Sequence, residues 1–566
     1  MSNGEIDLGK SLETLQALSH GSWVLDACGV TRSESPIPAL VNRDSFESTW
    51  DPTRVLLVGG LSGSAADVEA ALQTLDFYIK TGDRLSETVT LSAIPCGNPD
   101  GLAQGTAPGN GAGGTPSAGY PPVDNYFGDG TDPETRYIWR WVSFLAPDLL
   151  FEVRAGDSVS WEASSEAPEL ASALGASPLT PADSLLAAMA VGKPNGVAPI
   201  PGVRLTAPTD ALIPEVVRFW GALRSVKMGQ SPARRELNRR RSRTPIEVAR
   251  VLGSTYGHAL GPINYIQGVA ISGRLRLAKL DPSGEDPVAD IKRVVEGPMA
   301  TSDELVGGNG AASSGFVWAD ELAEATGDSR YSDVTVKIAD AYKLGAKGEA
   351  SSPADPRFRT EDMFFIGTMM GRAFALTGEQ RYLDIQTRFL LDAKTQQDDG
   401  LFWHDRSTPY YWGRGNGFAA LSFCETLTYL PDDHPDRGAL IAMHVKQLEA
   451  VRKLQQLSGM YLQVMDLPGT FQELTATCMI GYAMARGMRR GWLDSSYMAS
   501  VELAWQGVSE RIDDEAGLVD PCDGTGTGEN VRFYIDRSAV FGFNDRGGSM
   551  AIWFATELEL LRRETA

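Results

Sequence analysis

Two stretches of this sequence, ATGDSRYSD (325–333) and LTGEQRYLD (376–384), match each other along their length at a spacing of 51 residues, and MRRGWLD (488–494) is a fainter third copy. In each copy a glycine stands shortly before a Tyr or Trp. This is the pattern of a helix that ends on a left-handed glycine, followed by a helix whose first aromatic residue returns to the core. A helical hairpin that repeats about every fifty residues predicts an array in which each hairpin buries one face on the next.

The rest of the C-terminal half fits this interpretation. Apolar residues recur at spacings of three and four, and Gly, Pro, Asp or Asn separate the segments. The predicted helices are 246–259, 262–280, 284–297, 316–327, 331–345, 361–377, 380–396, 415–430, 437–458, 470–488, 495–511 and 546–563. Twelve helices in six hairpins predict an all-α (α/α)6 barrel over residues 246–566, with an open solenoid as the alternative. The loops of a closed ring converge on one mouth, where we expect a ligand.

Residues 1–230 follow a different pattern, which predicts a separate α/β domain and hence a multidomain protein. Apolar strands at 54–60, 88–95 and 148–156, with a helix at 64–79, are typical of a parallel sheet covered by helices. Six arginines lie between positions 234 and 243. We interpret residues 231–245 as a basic, solvated linker between the domains rather than as a nucleic-acid patch.

Composition excludes several classes of protein. A net charge of −22 argues against a nucleic-acid partner, whose phosphates require a basic surface. No run of eighteen apolar residues is present, so we expect no membrane span, and the N-terminal stretch lacks the pattern of a secretory signal. Five scattered cysteines favour a reducing, cytoplasmic location, and the five histidines show no metal-ligand spacing. We therefore predict no metal and no cofactor, and the sequence gives no indication of oligomeric state.

The densest group of aromatic and polar residues is DDGLFWHDRSTPYYWGRGNGF (398–418). Aromatic faces that stack on sugar rings, beside an arginine that binds a carboxylate, suit a sugar-acid site. The glycines of GRGNG predict a sharp turn close to a ligand. The alternative is a helix-capping loop with core aromatics. The candidate substrate-binding residues here are His404, Trp412, Arg414, Asn416 and Phe418.

Three carboxyl groups near predicted helix starts complete the candidate site. Glu361 and Asp362 begin an otherwise apolar helix, where a partly dry pocket would raise the pKa of a carboxyl toward that of a general acid. Glu473 lies early in a helix of small residues. For all three, helix capping is the alternative interpretation, because the helix dipole favours acidic residues in the first turn.

Four ordered motifs resemble the unsaturated rhamnogalacturonyl hydrolases and the related unsaturated glucuronyl hydrolases. They are EDMFF with GRAFALTGEQRYLD, GLFWH with YYWGRGNGF, FQELTATCMIGYAMARGMRRGWLD, and CDGTGTG with GGSMAIWFATELE. The resemblance implies a metal-independent (α/α)6 barrel that acts on a 4,5-unsaturated uronic acid at the non-reducing end of lyase-generated oligosaccharides. The implied reaction is hydration: an acid protonates carbon 4 of the vinyl ether, and water guided by a carboxylate adds at carbon 5.

The resemblance also implies roles for individual positions. The catalytic aspartate of the family falls on Glu361, with Asp362 next to it, so either residue is a candidate for the acid. His404 and Arg414 match the histidine and arginine of the family loop, and Phe418 takes the place of a stacking tryptophan. A second family aspartate has no counterpart, and Asn309 is the nearest residue.

The first domain resembles a zinc carboxypeptidase in LLVGGLSGSAADVEA, IPCGNPDGLA, GYPPVDNYFGDGTDPETRYIWRW and PDLLFEVRAGD. Where that family holds zinc, this chain has Ser62, Ala65 and Arg154, which are poor zinc ligands. We interpret the domain as a degenerate peptidase fold kept for binding or structure.

Together these observations predict a glycoside hydrolase that removes unsaturated uronic acids from oligosaccharides. One alternative is a hydrolase of saturated uronides, or a sugar epimerase, on the same barrel; the low histidine count disfavours the epimerase. The other alternative is a non-catalytic glycan-binding protein.

Overall fold

The computed structural model describes residues 7–47, 51–81, 87–123, 130–191, 196–302, 309–344 and 354–565. The chain divides into two compact units, and two short segments of the C-terminal half belong to the first. The first unit is Met1–Ser242 with Leu467–Phe471 and Asp536–Ser538; the second is Arg243–Asp466, Gln472–Ile535 and Ala539–Ala566. Residues 1–6, where the stretch examined for a secretory signal begins, lie outside the described residues.

The first unit is built on a mixed β-sheet, with eight strands among the described residues. They are β1 (Trp23–Val30), β2 (Pro36–Asn42), β3 (Thr53–Val58), β4 (Val89–Ile94), β5 (Leu149–Ala155), β6 (Ser160–Ala163), β7 (Ser177–Pro178) and β8 (Gly202–Ala207). Their spatial order is β1-β2-β4-β3-β5-β8-β6-β7, and the central neighbours β4, β3, β5 and β8 are parallel. The three predicted strands are β3, β4 and β5. Nearly every residue in them is buried, as expected of unbroken apolar runs in a sheet that is covered on both faces.

Eight helices of the first unit accompany the sheet within the described residues. They are α1 (Leu8–Leu18), α2 (Ala65–Lys80), α3 (Pro99–Gln104), α4 (Pro133–Leu145), α5 (Pro168–Leu174), α6 (Leu185–Met189), α7 (Thr209–Val226) and α8 (Pro232–Arg241). The predicted helix at 64–79 is α2, which connects the parallel neighbours β3 and β4. A parallel pair requires such a crossover.

The basic segment differs from the solvated linker expected at residues 231–245. Ser231 caps α8, and this helix belongs to the first unit. Arg234 is buried and its Nη1 lies 2.6 Å from Oδ2 of the buried Asp148. Arg240 is also buried and pairs with Glu236 at 2.9 Å. Residues 232–241 of the run are therefore a helix in which Arg234, Arg239 and Arg240 pair with carboxylates of the same unit.

The positions that correspond to zinc ligands in the carboxypeptidase resemblance are engaged with neighbouring side chains. The Ser62 hydroxyl donates to Asp67 at 2.6 Å. Arg154 Nε donates to Glu152 at 2.6 Å, and the other oxygen of Glu152 accepts from Arg204 at 2.7 Å. These polar groups satisfy one another. The resemblance of this unit to zinc carboxypeptidases stays a prediction.

The second unit is mainly helical, and each of the twelve predicted segments overlaps a helix. Its described helices are α9 (Pro245–Gly253), α10 (Tyr265–Leu280), α11 (Val288–Ala300), α12 (Gly310–Ser313), α13 (Ala319–Thr326), α14 (Ser329–Ala339), α15 (Thr360–Thr377), α16 (Gln380–Ala393), α17 (Gly413–Tyr429), α18 (Arg437–Arg452), α19 (Leu474–Arg489), α20 (Met498–Glu510), α21 (Arg532–Ile535) and α22 (Asp545–Thr565). Short strands also occur: β9 (Tyr461–Leu462) pairs with β10 (Gln472–Glu473), and β11 (Leu518–Cys522) with β12 (Ala539–Gly542). Residue 345, the end of one predicted helix, lies outside the described residues.

The repeated motif has the local structure that its sequence predicts. Gly327 and Gly378 end α13 and α15 with φ of 70° and 74°, in the left-handed region. The aromatic residues that follow, Tyr331 and Tyr382, are buried in the shared apolar core of this unit. The prediction of a glycine C-cap followed by an aromatic residue that returns to the core is confirmed.

Six helical positions of the second unit, one of them formed by two consecutive helices, contact one another in a closed cycle. The order is α10, then α12 with α13, then α15, α17, α19, α22 and back to α10. An open array would leave α10 and α22 apart. Helices α11, α14, α16, α18 and α20, which lie between these in sequence, each contact one or more members of the cycle.

Charges whose sign alternates around the cycle lie in the C-terminal halves of five of these helices and in the first turn of α13. The residues are Arg276 (α10), Glu321 (α13), Arg372 (α15), Glu425 (α17), Arg486 (α19) and Glu557 (α22). Arg276 Nε lies 2.8 Å from Glu321, and Arg486 Nη2 lies 2.6 Å from Glu557. Arg372 pairs with Glu425, and also with Asp320 at 3.2 Å. We call these six residues the charge ring.

Among the residues that the structure describes, no helix combines the length and apolar character required to cross a bilayer.

Candidate active site

The end of the cycle opposite the charge ring is formed by helix N-termini. These first helical residues are Tyr265 (α10), Gly310 (α12), Thr360 (α15), Gly413 (α17), Leu474 (α19) and Asp545 (α22). The starts of α10, α15 and α17 lie close together, because the Tyr265 ring lies 5.1 Å from that of Phe365 and 5.6 Å from that of Phe418. A helix N-terminus carries a partial positive charge and unpaired N–H groups, so converging N-termini favour an anionic ligand.

Glu361, in the first turn of α15, forms a buried pair with His404. His404 Nε2 lies 3.1 Å and 3.0 Å from the two carboxylate oxygens of Glu361, and both side chains are buried. The backbone N–H of Thr360 also donates to the His404 carbonyl at 3.0 Å, which ties the 404 segment to the start of this helix. Burial acts to raise the pKa of Glu361, but the neighbouring His404 ring outweighs it and holds this pKa at about 2.

Asp362, the next residue, has the opposite electrostatic environment. Burial raises the pKa of Asp362 to about 7, with the Arg359 guanidinium acting against the rise and the Glu361 carboxylate adding to it. One oxygen accepts from the Asp355 N–H at 3.3 Å. A Cβ added at Gly310 would lie 3.1 Å from the other, so Asp362 projects toward the start of α12. A carboxyl group with this pKa is protonated in a substantial fraction of molecules near neutral pH and can act as a general acid.

Asn309, the residue nearest to the expected second aspartate, caps α12. Its side-chain oxygen accepts from the Ala312 N–H at 2.9 Å. The amide therefore has a structural role that a carboxylate would fill equally well, and the adjacent Gly310 leaves room for Asp362.

Arg414 lies at the same end of the unit but is engaged with the protein backbone. It is fully buried, and its two terminal nitrogens donate to the carbonyls of Cys522 and Gly524. Its guanidinium carbon lies 4.6 Å from the centre of the Trp412 ring, and that ring lies 4.5 Å from His404. Arg414 thus anchors the glycine-rich segment after β11, and Trp412 separates it from the Glu361–His404 pair.

Asn416 and Phe418 are core residues in this structure. Asn416 accepts from the Phe402 N–H at 2.9 Å and donates to the Phe402 carbonyl at 3.1 Å, so it holds the 402 backbone against α17. Phe418 is fully buried and packs on Phe364 and Trp412. Both side chains are buried rather than solvent-facing. This agrees with the alternative interpretation, in which the aromatics of this stretch belong to the core.

The GRGNG sequence does not form the sharp turn expected of it. Residues 413–417 are the first turn of α17, and none of its glycines has a positive φ. Glycine is required here for close packing instead, because a Cβ at Gly417 would lie 2.8 Å from Met479 Sδ on α19. Small residues are required here because two helices of the cycle approach closely.

Glu473 caps α19, as its position at a helix start also suggested. Its carboxylate accepts from the N–H groups of Thr475, at 3.0 Å, and Ala476, and from the N–H of Cys522 at 2.7 Å. It is fully buried. Glu473 therefore joins the α19 N-terminus to β11, with its oxygens engaged by backbone donors.

Sequence reasoning missed Tyr534, in the short helix α21. Its hydroxyl lies 2.7 Å from His404 Nδ1, on the side of the ring opposite Glu361, and the side chain is fully buried. The only sequence signal is an aromatic residue inside the glycine-rich stretch 517–550, which does not reveal a contact across 130 positions.

Among the described residues, no group of three or more His, Cys, Asp or Glu side chains is arranged to hold a metal ion.

Residues 360–562 match the family model for Glycosyl Hydrolase Family 88. This range contains every candidate site residue predicted from the sequence, as well as Tyr534. The C-terminal region is therefore a glycoside hydrolase family 88 domain.

Two curated relatives are similar to part of the chain. An unsaturated 3S-rhamnoglycuronyl hydrolase of Alteromonas sp. (strain LOR) is 24% identical over 206 residues, which cover 33% of this chain and 49% of the relative. The unsaturated rhamnogalacturonyl hydrolase YesR of Bacillus subtilis (strain 168) is 27% identical over 124 residues, covering 22% of this chain and 34% of the relative. The chain thus spans about half the length of the first and a third of the second.

A solved structure of a family 105 glycoside hydrolase from C. acetobutylicum ATCC 824 aligns with 55% of this chain and 99% of its own, at 18% identity and a TM-score of 0.47.

Proposed function

We propose that this protein is a glycoside hydrolase that removes a 4,5-unsaturated uronic acid from the non-reducing end of lyase-generated oligosaccharides, using an (α/α)6 barrel. The family 88 match and the names of the two relatives support the class of substrate. The observation that carries the proposal is the pair of adjacent carboxyl groups whose pKa values diverge, at an end of the helical cycle where N-termini favour an anion.

The two carboxyl groups suit different steps of a hydration. Asp362, whose pKa of about 7 keeps a proton available, protonates carbon 4 of the vinyl ether. The resulting positive charge is shared by carbon 5 and the ring oxygen. Glu361, held ionised by His404, stabilises this charge and guides water to carbon 5.

The rest of the reaction follows from the product of hydration. Water adds its oxygen to carbon 5 and loses a proton, which regenerates the acid. The hemiketal at carbon 5 opens to a ketone, leaving the former ring oxygen as a hydroxyl on carbon 1. Collapse of that hemiacetal releases the next sugar. Because bond cleavage follows hydration, the carboxylate spacing that separates retaining from inverting glycosidases does not apply.

The substrate is recognised in this proposal by the converging N-termini rather than by Arg414 alone. Both terminal nitrogens of Arg414 already donate to backbone carbonyls. Arg414 then serves by positioning the segment after β11, and the uronate carboxylate is attracted by the helix ends.

The test is turnover of unsaturated disaccharides prepared with polysaccharide lyases. We expect the ultraviolet absorbance of the conjugated double bond to fall, and a reaction in D2O to place deuterium at carbon 4. A panel of unsaturated uronides left unchanged overturns the proposal. Turnover of a saturated 4-nitrophenyl uronide instead would support the alternative hydrolase, and sugar binding without turnover would support a glycan-binding protein.

A further inference from the structure

His404 is held from both sides of its ring inside the second unit. Nε2 faces both oxygens of Glu361 at 3.1 Å and 3.0 Å, and Nδ1 faces the Tyr534 hydroxyl at 2.7 Å. All three side chains are buried. Hydrogen bonds between buried groups are electrostatically stronger than exposed ones, because the local dielectric is low.

We propose that Tyr534 is a positioning residue for the hydrolysis proposed above: its hydroxyl orients His404 so that Nε2 always presents a hydrogen to Glu361. The proposal rests on the proposed function for the reaction it serves. Its structural part rests on the contacts of His404 alone.

The direction of the hydrogen bonds follows from Glu361. An ionised carboxylate only accepts, so Nε2 must carry a hydrogen. Nδ1 is then a bare acceptor when the ring is neutral and a donor when the ring is protonated. A hydroxyl satisfies both states, because it can donate its hydrogen or accept on a lone pair. A lysine or a carboxylate at the same place would match only one of them.

The packing of Tyr534 does not depend on its hydroxyl. Its ring meets His404 edge-on at 5.7 Å and lies 5.5 Å from the ring of Tyr410. Gln463 Nε2 donates to its backbone carbonyl at 3.1 Å. Replacing Tyr534 with phenylalanine therefore keeps the ring contacts and removes the hydroxyl that faces Nδ1.

A matched control is Tyr497→Phe. Tyr497 is buried, and its hydroxyl has no hydrogen-bond partner in the described part of the chain. It lies in the segment between α19 and α20, where the guanidinium carbon of Arg452 lies 4.4 Å from the centre of its ring. This variant reports the cost of removing a buried phenol hydroxyl without touching His404.

The experiment combines histidine-selective 15N NMR with kinetics on the full chain, and His404→Gln assigns the His404 signals. We expect Nε2 to be proton-bearing in the native protein and in Tyr534→Phe, while the Nδ1 signal moves only in Tyr534→Phe. With an unsaturated disaccharide, kcat should fall about tenfold with little change in KM, the effect of losing one buried hydrogen bond. Tyr497→Phe should match the native protein in both measurements.

Each other outcome is decisive. A native His404 without a proton on Nε2, an Nδ1 signal unmoved in Tyr534→Phe, or an unchanged kcat overturns the proposal while turnover by the native protein still supports the function. If the native protein hydrates no unsaturated uronide, the proposed function fails, and the role of Tyr534 in it fails as well. Should Tyr534→Phe not fold, 3-fluorotyrosine at position 534 keeps the hydroxyl and changes its acidity; an unmoved Nδ1 signal would again overturn the proposal.

Discussion

Glu361 and Asp362 are consecutive residues of α15, yet their surroundings drive them toward opposite charge states. Both side chains are buried, which by itself raises the pKa of each. His404, 3.0 Å from Glu361, reverses the effect there, while Asp362 keeps a pKa of about 7. Successive residues project about 100° apart around a helix, so the two groups meet different neighbours. The result is a proton donor beside a fixed anion.

Replacing Asp362 with asparagine should remove the proton donor while keeping a side chain of similar size. We expect kcat for an unsaturated disaccharide to fall by roughly 10²–10⁴, the usual contribution of a general acid. The fall in ultraviolet absorbance measures it. Asp384→Asn, on the exposed face of α16, is the control and should keep the native rate. A native rate in Asp362→Asn would transfer the acid role to another residue, with Glu361 the first to test.

Asp362→Asn should also change how stability depends on pH. The folded-state pKa of Asp362, about 7, lies above the usual value of about 3.9 for an aspartate. Its contribution to stability is therefore fully present below pH 4 and is lost as pH rises through 7. Between pH 5 and pH 8 the variant should therefore gain stability relative to the native protein by roughly 3 kcal/mol, which a comparison of their melting temperatures measures. Parallel curves for the two proteins would contradict this.

The Glu361–His404 pair should show strong coupling in a double-mutant cycle. Removing one member of a buried pair leaves the other unpaired, which costs about 3–5 kcal/mol. Glu361→Gln and His404→Gln should each be destabilising, and the double variant should lose less than the sum of the two. Urea denaturation of the four proteins measures the coupling. Additive losses would show that the two side chains do not interact.

Much of the second unit was predictable because it depends on local patterns. The glycines at 327 and 378 and the aromatic residues after them specify a helix end and a return to the core within nine residues. The positions of the helices followed from apolar spacing, since amphipathic helices carry that signal along their length. Their ends were less predictable: the helix predicted over 437–458 ends at Arg452, and the one predicted over 246–259 ends at Gly253. The first unit's strands β3, β4 and β5 were equally visible as buried apolar runs.

The site was harder to predict because its chemistry depends on contacts between distant positions. The sequence marks Arg414 as an arginine in an aromatic-rich stretch, but only the fold brings the Cys522 and Gly524 carbonyls to its guanidinium. The same applies to Tyr534, 130 residues from His404. Residues 231–245 are a further example, because a run of arginines does not reveal that the fold brings Asp148 within reach of Arg234.

Asn416 should matter for stability through the backbone that it holds. Its amide makes hydrogen bonds to Phe402 in both directions and to the Trp412 carbonyl at 3.2 Å. Asn416→Ala leaves these buried groups unsatisfied, at about 1–3 kcal/mol for each group that finds no other partner. A drop in melting temperature several times that of Asn238→Ala, a partly exposed control in α8, is expected. Equal drops would mean that Asn416 is present for another reason.

The Arg372–Glu425 pair in the charge ring gives a sharper test of buried charge. Arg372→Met alone should destabilise by about 3–5 kcal/mol, since it leaves the buried Glu425 without its guanidinium. Arg372→Met with Glu425→Met should recover part of that loss, because apolar residues of similar volume replace both charges while Asp320 stays without Arg372. Melting temperatures of the native protein and the two variants decide it. A double variant less stable than the single one would contradict the expectation.

The charge ring also bears on how many helices can close the cycle. Charges that alternate in sign from one helix to the next can close into a ring only when the number of helices is even. A cycle of five or seven built from the same units would set two arginines or two carboxylates against each other where it closed. A ring of six helices meets this condition. The pattern of charge therefore disfavours the rings of five or seven helices that helix packing alone would tolerate.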